Sequence, residues 1–340
     1  MKSHQRQSNI ELLRIIAMTM VLILHANFLS LGKPTFDSIV LSPVSESLRI
    51  ILQCTCIVAV NVFVMISGWF GIHPSIKGFC KFMWQVFFIV GASVAVEVIF
   101  FNQPLTIKSI LWCFGLFDGG GWFVCAYIGL YILAPVLNAF INNCTLRQLT
   151  ATTILFIIFE IIAGDTLSAK YILMGYSTLS FVGLYLLAAC LRRAAQNISA
   201  KQSLGIFIIS IIANAIVYFI CSYFSLIALR DLVLNYINPL VIISAASLLL
   251  VFSKITPPHS ISPYINFLSA SCFAIYLLHV GTPYALGFYI NSIKTLSCNY
   301  SGIIGLLMIA AFITAVFITA ILIDQPRKYI WNKILSSYFK

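Results

Sequence analysis

The stretch NIELLRIIAMTMVLILHANFLSL, which runs from Asn9 to Leu31, decides the fold class of this chain. Its apolar run is long enough for a membrane-spanning helix, which needs about 20 predominantly apolar residues. Lys2 and Arg6 precede the run, as basic residues precede the apolar core of a signal peptide. However, Glu11 and Arg14 interrupt it and no small-residue cleavage site follows, so we interpret it as an uncleaved first helix.

The rest of the 340-residue chain has the same character. Hydrophobic residues make up 61% of it, charged residues only 9%, and the mean hydropathy is +1.02. A soluble domain is typically about 25% charged. These values exclude a soluble enzyme, a disordered chain and a nucleic-acid-binding domain. They predict an all-α, polytopic integral membrane protein.

Apolar runs separated by turn residues predict about ten membrane spans in a single membrane-embedded domain over residues 1–340, with its core at about 9–331. The spans lie near residues 10–31, 48–72, 79–101, 122–142, 149–163, 170–190, 203–224, 232–252, 266–288 and 301–323. The apolar piece Ile107–Phe117 is too short to span, and we interpret it as re-entrant or interfacial, followed by a turn at Asp118–Gly121. Glu97 and Glu160 fall near span ends, which favours placement at the membrane interface.

The net charge of +11 predicts a membrane topology. If the N-terminus is cytoplasmic, the inner segments carry 13 Lys and Arg residues and the outer segments carry 6, which fits the positive-inside bias. We therefore expect both termini on the cytoplasmic side of a multi-pass protein in the cell inner or plasma membrane. The ten cysteines lie mostly in apolar runs without a CxxC pair, so they predict neither a disulfide framework nor a metal site.

Ionisable residues inside a span are costly and usually face a cavity or a partner. Arg14 and His25 are eleven residues apart in the first span, which places both on one helix face and about 16 Å apart along the axis. Glu11, three residues before Arg14, is placed to pair with it. His279 lies at a similar depth in a later span, so it is either a packed histidine or a functional partner of His25.

Four segments of the chain resemble the membrane acyltransferase-3 family. The first is the spacing of Arg14 and His25 on the first membrane helix. The others are NVFVMISGWF at residues 61–70, GWFVCAYIGLYILAP at 121–135 and LSASCFAIYLLH at 268–279. Their order and spacing carry the resemblance from Asn9 to about Trp331.

The resemblance implies a membrane O-acyltransferase that moves an acyl group, commonly acetyl from acetyl-CoA, onto a hydroxyl of a surface polysaccharide or a lipid-linked glycan. It implies that His25 and Arg14 are catalytic, with His25 acting as the base or as a transient acyl carrier. The residues given supporting roles are Glu11, Ser67, Tyr276 and His279. Acetyl-CoA is then a substrate, and no permanently bound cofactor is expected.

Basic residues on the predicted cytoplasmic side are candidates for binding the donor phosphates. These residues are Lys77, Lys81, Arg147, Arg192 and Arg193. Lys77 and Lys81 follow the Ser67-Gly68 segment, where some family members have paired arginines. The lysines keep the charge but lose bidentate phosphate geometry. A second departure is Asn61, which stands where many members have Asp or Pro.

A proton-coupled transporter or flippase for a glycan or small molecule is the alternative function, because it would use the same buried arginine and histidine for proton coupling. Composition and the number of spans do not separate the two functions, but the motifs favour the enzyme. The partners expected for the enzyme are acetyl-CoA, the glycan or lipid-linked acceptor and membrane lipid, with no nucleic acid. The sequence indicates no particular oligomeric state.

Overall fold

The protein is a bundle of helices. The computed structural model describes residues 7–115 and 121–339, and over these ranges the chain forms helices and turns without a β-strand. We name the α-helices in chain order. They are α1 (Ser8–Leu24), α2 (Phe36–Leu41), α3 (Pro43–Cys56), α4 (Ala59–Phe70), α5 (Ile76–Phe101), α6 (Ile107–Trp112), α7 (Trp122–Asn143), α8 (Leu146–Ile161), α9 (Thr178–Ala194), α10 (Ala200–Tyr223), α11 (Ile227–Val233), α12 (Pro239–Ser253), α13 (Ser262–Ser269), α14 (Cys272–Val280), α15 (Pro283–Asn299) and α16 (Gly302–Lys333).

Nine of the ten predicted spans correspond to helices of suitable length. Within the described ranges, nine helical segments are long and apolar enough to cross a membrane. The span predicted near residues 232–252 corresponds to α12, a shorter apolar helix of 15 residues. The fold is therefore the all-α, polytopic membrane architecture that the composition predicts.

Two predicted spans have the wrong limits. The span predicted near residues 266–288 extends too far, because Pro283 begins a separate helix there, and Thr282 caps it by accepting a hydrogen bond from the Ala285 amide. Proline suits the first turn of a helix, where its missing N–H costs nothing. The span predicted near residues 170–190 begins too early. Its helix starts at Thr178, where the Ser177 hydroxyl accepts a hydrogen bond from the Ser180 amide.

Helix α4 lies in the middle of the bundle, where it packs against α1, α9 and α12. Gly68 permits the close approach to α9, because a Cβ at this position would lie 2.5 Å from the Tyr185 carbonyl oxygen. Asn61 is fully buried on the same helix, and its Nδ2 donates to the Tyr236 carbonyl oxygen at 2.8 Å. Asn61 therefore ties α4 to the segment that precedes α12.

The two acidic residues near span ends, for which we predict placement at the membrane interface, are both buried within the protein. Glu97 is 6% exposed and accepts a hydrogen bond from the Thr282 hydroxyl. Glu160 is 2% exposed and lies against Gly183 of α9. In the short apolar piece, α6 accounts for Ile107–Trp112, while Phe117 and the predicted turn residues 118–120 lie outside the described residues.

Candidate active site

The first membrane helix changes its geometry at His25. Helix α1 keeps α-helical geometry through Leu24, and a π-helical segment follows from His25 to Ser30. The Ser30 hydroxyl donates to the His25 carbonyl oxygen at 2.7 Å within this segment. Short π-helical segments are rare and are frequent at functional sites. The change from α-helical to π-helical hydrogen bonding therefore begins at His25, the histidine for which the sequence predicts a catalytic role.

His25 and His279 form a hydrogen-bonded pair between the end of α1 and the end of α14. Nδ1 of His25 lies 3.1 Å from Nε2 of His279, and the ring centroids are 5.2 Å apart. His279 is 3% exposed, whereas His25 is half-buried. His279 is therefore a packed histidine that is also a direct hydrogen-bond partner of His25.

The backbone carbonyl next to His279 determines which ring nitrogens carry protons. Nδ1 of His279 lies 2.7 Å from the Ile275 carbonyl oxygen, which can only accept, so this nitrogen must carry the proton. In the neutral ring Nε2 of His279 is then an acceptor, and it receives the Nδ1 proton of His25. Nε2 of His25 is left with its lone pair. The hydrogen bond to His279 thus holds His25 in the tautomer in which Nε2 can accept a proton.

Arg14 and His25 share one face of α1, as their spacing predicts. Arg14, Met18 and Val21 line a common cavity, and His25 follows one turn beyond Val21 on the same face. The predicted ion pair is present, since Nη1 of Arg14 lies 3.4 Å from Oε2 of Glu11. Glu11 is buried, whereas the Arg14 side chain retains 32% of its exposed area. Glu11 therefore holds an arginine that stays accessible from the cavity.

This cavity, which we call the basic cavity, has a volume of about 490 Å³. Its cationic lining consists of Arg14, Lys81, Arg327 and Lys328. Aromatic side chains line other parts of its wall. Among them, Phe123 and Tyr276 pack ring against ring with centroids 5.5 Å apart. Tyr276 also touches the His279 ring, at a centroid distance of 6.2 Å, so the aromatic wall leads to the histidine pair.

Arg327 and Lys328 belong to the cavity although sequence reasoning missed them. Both pair with Asp324, which is fully buried: Arg327 Nη2 lies 2.8 Å and Lys328 Nζ 3.2 Å from its carboxylate. The spacing of i, i+3 and i+4 puts the three charges on one helix face. A signal was available in the sequence, because Asp324-Gln-Pro-Arg327-Lys328 directly follows the last long apolar run.

Ser67 and Tyr127 provide neutral polar groups on the cavity wall. The Ser67 hydroxyl lies 3.3 Å from the Tyr127 hydroxyl and also donates to the Phe63 carbonyl oxygen. Ser67 sits on α4, one residue before the Gly68 contact with α9, so helix packing fixes its position. The structure therefore places Ser67 and Tyr276 in the same cavity as Arg14.

The five residues predicted to bind the donor do not lie together. Lys81 lines the basic cavity, whereas the other four lie outside its described lining. Lys77 Nζ donates to the Ser336 carbonyl oxygen, and Arg147 is exposed. Arg192 donates to the Trp69 carbonyl oxygen at 2.9 Å and Arg193 to the Cys144 carbonyl oxygen at 3.0 Å. These two arginines satisfy carbonyl groups at the ends of α4 and α7.

The part of the chain that the structure describes contains neither a cluster of metal ligands nor a disulfide. There, no group of three or more His, Cys, Asp or Glu residues is arranged to hold a metal ion. The ten cysteines are unpaired thiols in the same ranges.

A comparison with protein families identifies the chain. A family model described as an acyltransferase domain matches residues 7–324. No significant match was found among curated proteins or among solved structures. The matched range contains both histidines, Arg14 and Ser67, and it covers most of the chain. The chain therefore belongs to the membrane acyltransferase-3 family.

Proposed function

We propose that this membrane acyltransferase transfers acetyl from acetyl-CoA to a hydroxyl of a surface polysaccharide or a lipid-linked glycan in the cell inner or plasma membrane. The observation that carries the proposal is the basic cavity, which is lined by cationic side chains and by Tyr276, whose ring contacts His279 of the His25–His279 pair. In this arrangement the cationic side chains can bind a multiply phosphorylated donor, and the histidine pair can accept a proton.

The charge of the basic cavity suits the anionic end of coenzyme A. Four cationic side chains line it, whereas the nearby acidic side chains are Glu11 and Asp324, each held in an ion pair. Phosphate oxygens are good acceptors for Arg and Lys donors. The aromatic wall beyond these charges suits the less polar pantetheine arm. The thioester would then lie near Tyr276 and the histidine pair.

His25 would act as the general base in the transfer. A hydroxyl is a poor nucleophile until a group takes its proton, and imidazole is suited to this task. The acceptor oxygen forms the ester bond to the acetyl carbon while the carbon–sulfur bond of the thioester breaks. The hydroxyl proton passes to Nε2 of His25 and then to the departing thiolate, giving the ester and free coenzyme A.

His279 and Arg14 would position the reactants. His279 holds the proton on Nδ1 of His25, so that Nε2 stays available. Arg14 faces the cavity and is held by Glu11, a placement suited to steadying the donor. On the topology predicted from the charges, the basic cavity opens to the cytoplasm and His25 lies in the outer half of the bilayer. Donor and acceptor would therefore approach from opposite faces.

Vesicles of known orientation test this function. With purified protein, we expect acetyl-CoA supplied on the cytoplasmic face to be consumed when an acceptor is present on the other face. Modification of acceptors on the cytoplasmic face alone would contradict the opposed approach. Gradient-driven flux without acetyl-CoA consumption would support the transporter instead. Comparing surface glycans from cells with and without the chain should reveal an acetyl ester on one sugar.

A further inference from the structure

A second cavity reaches the histidine pair from the side of the bundle. It has a volume of about 440 Å³, and α5, α14, α15 and α16 form its walls. We call it the lateral cavity. His279 belongs to its lining, whereas Tyr276, one turn earlier on α14, belongs to the lining of the basic cavity. The two cavities therefore approach the same turn of α14 from different directions.

The walls of the lateral cavity are mainly apolar. Leu278, Phe312 and Val316 line it beside His279. Small side chains on two of its walls, Ala92 and Ala315, keep it open. A volume of this size falls within the range of roughly 300–1,000 Å³ that is typical of sites for small ligands.

Several apolar side chains in the lining of the lateral cavity are exposed at the surface of the bundle. Val96 and Phe101 of α5 are each 46% exposed, and Phe288 of α15 is 53% exposed. Ala315 on the membrane-spanning helix α16 is exposed as well. Both α5 and α16 are long and apolar enough to cross a membrane, so a hydrocarbon chain in the bilayer could enter between them sideways without crossing water.

Glu97 and His279 are two of the polar side chains in this mainly apolar lining, which also contains Ser93 and Thr319. Glu97 is buried and accepts a hydrogen bond from Thr282, the residue that caps α15. His279 donates to a backbone carbonyl and accepts from His25. Buried polar groups in membrane proteins usually mark substrate or ion pathways. Their position places polar groups where the polar end of an otherwise apolar ligand would lie.

We propose that the lateral cavity admits the hydrocarbon chain of a membrane-borne acceptor and so presents the acceptor's hydroxyl to His25, an inference that rests on the proposed acyl transfer. The acceptor is therefore a lipid-linked glycan rather than a free polysaccharide. The hydrocarbon chain of the acceptor enters from the bilayer between α5 and α16, while the donor occupies the basic cavity. The His25–His279 pair stands where the two routes meet.

The first test uses ethyl, octyl and dodecyl glucosides as acceptors, with radiolabelled acetyl-CoA and the full chain in lipid nanodiscs. Transfer by the unmodified protein should rise with chain length. Ala315→Phe should lower transfer to dodecyl glucoside by on the order of tenfold more than transfer to ethyl glucoside, because a displaced hydrocarbon chain costs the acceptor its attack geometry. Ala92→Phe introduces a bulky side chain on the opposite wall of the cavity and should lower transfer to dodecyl glucoside in the same way. Ala310→Phe, an exposed position on α16 outside the lining, is the matched control.

The second test measures binding without catalysis. A dodecyl glucoside with a photoreactive diazirine at the end of its chain should label Phe288 and Phe312, and unlabelled dodecyl glucoside should compete. Ala315→Phe should remove this saturable labelling, and Ala310→Phe should not. Labelling spread evenly over the lipid-facing helices, or unchanged in Ala315→Phe, would overturn the proposal.

Two further outcomes separate this inference from the proposed function. Saturable labelling without any acetyl-CoA consumption would leave the lateral cavity as a lipid-chain site and contradict the acetyl transfer. A change of preference between acetyl-CoA and palmitoyl-CoA in Ala315→Phe would mean that the cavity holds the donor's acyl chain, which overturns the proposal. We expect the donor preference to be the same in Ala315→Phe and in the unmodified protein.

Discussion

Nδ1 of His25 and Nε2 of His279 lie 3.1 Å apart although 254 positions separate the two residues in the chain. The contact joins the start of the π-helical segment after α1 to the end of α14. Because the Ile275 carbonyl oxygen fixes the proton on the far side of His279, the contact also fixes the tautomer of His25. The relationship gives the two histidines unequal tasks, which mutagenesis can separate.

Replacement of the two histidines should have unequal effects. His25→Ala should lower kcat about 10²–10⁴-fold, the range typical of a lost general base. His279→Ala should lower kcat less, because the proton acceptor remains and only its orientation and tautomer are lost. His259→Ala, in an exposed loop, is the control and should be silent. Near-normal turnover in correctly inserted His25→Ala protein would exclude the role of His25.

The transfer rate should fall when the pH is lowered far enough to protonate His25. Protonation fills the lone pair on Nε2 of His25, so the base is lost. The measurement is kcat/KM for acetyl-CoA against pH, with KM followed separately to detect changes in donor binding. Thermal unfolding over the same range is the control for stability. A rate that rises towards acidic pH would indicate that a protonated imidazole does the work instead.

Lys81 and Lys77 lie one turn apart on α5 and should differ in their effect on the donor. Lys81→Gln should raise KM for acetyl-CoA and weaken its dependence on salt, because Lys81 lines the basic cavity. The value of kcat should fall less, since a phosphate contact exists before and during the transition state alike. Lys77→Gln is the matched control, because its ammonium group donates to the Ser336 carbonyl oxygen outside the cavity. Equal effects of the two variants would contradict this assignment.

Gly68→Ala should destabilise the bundle, because the added Cβ would meet the Tyr185 carbonyl oxygen at 2.5 Å. Overpacking of this kind costs about 1–3 kcal/mol. Gly205→Ala on α10 meets no atom within 4 Å and should leave stability the same or raise it by about 0.5–1 kcal/mol, since alanine favours the helix. Thermal unfolding in one detergent measures both. A silent Gly68→Ala would show that α4 and α9 can move apart freely.

Much of the fold could be predicted from the sequence, because the length and apolarity of each run are local properties. A helix must satisfy its own backbone in lipid, so a run of suitable length predicts a span without knowledge of its neighbours. The residues at which the helices begin and end were less predictable. Pro283 and Thr282 divide a run that hydropathy alone treats as continuous, and the cap at Ser177 shortens another.

Part of the candidate site was also local. Arg14, Glu11 and the position of His25 follow from helical periodicity on a single helix, and the Glu11–Arg14 pair is present as predicted. The buried positions of Glu97 and Glu160 were not predictable in this way. Both lie near helix ends in the sequence, and only the elements packed around them decide whether those ends meet water or protein.

The sequence by itself determined that the chain is an all-α membrane protein and that its first helix carries an arginine and a histidine on one face. Tertiary structure alone decided that His279 contacts His25, that Arg327 and Lys328 join Arg14, and that two cavities meet at α14. The physical reason is that helical periodicity acts within one helix, over a few residues. Contacts between distant helices depend on how complete side-chain surfaces pack together.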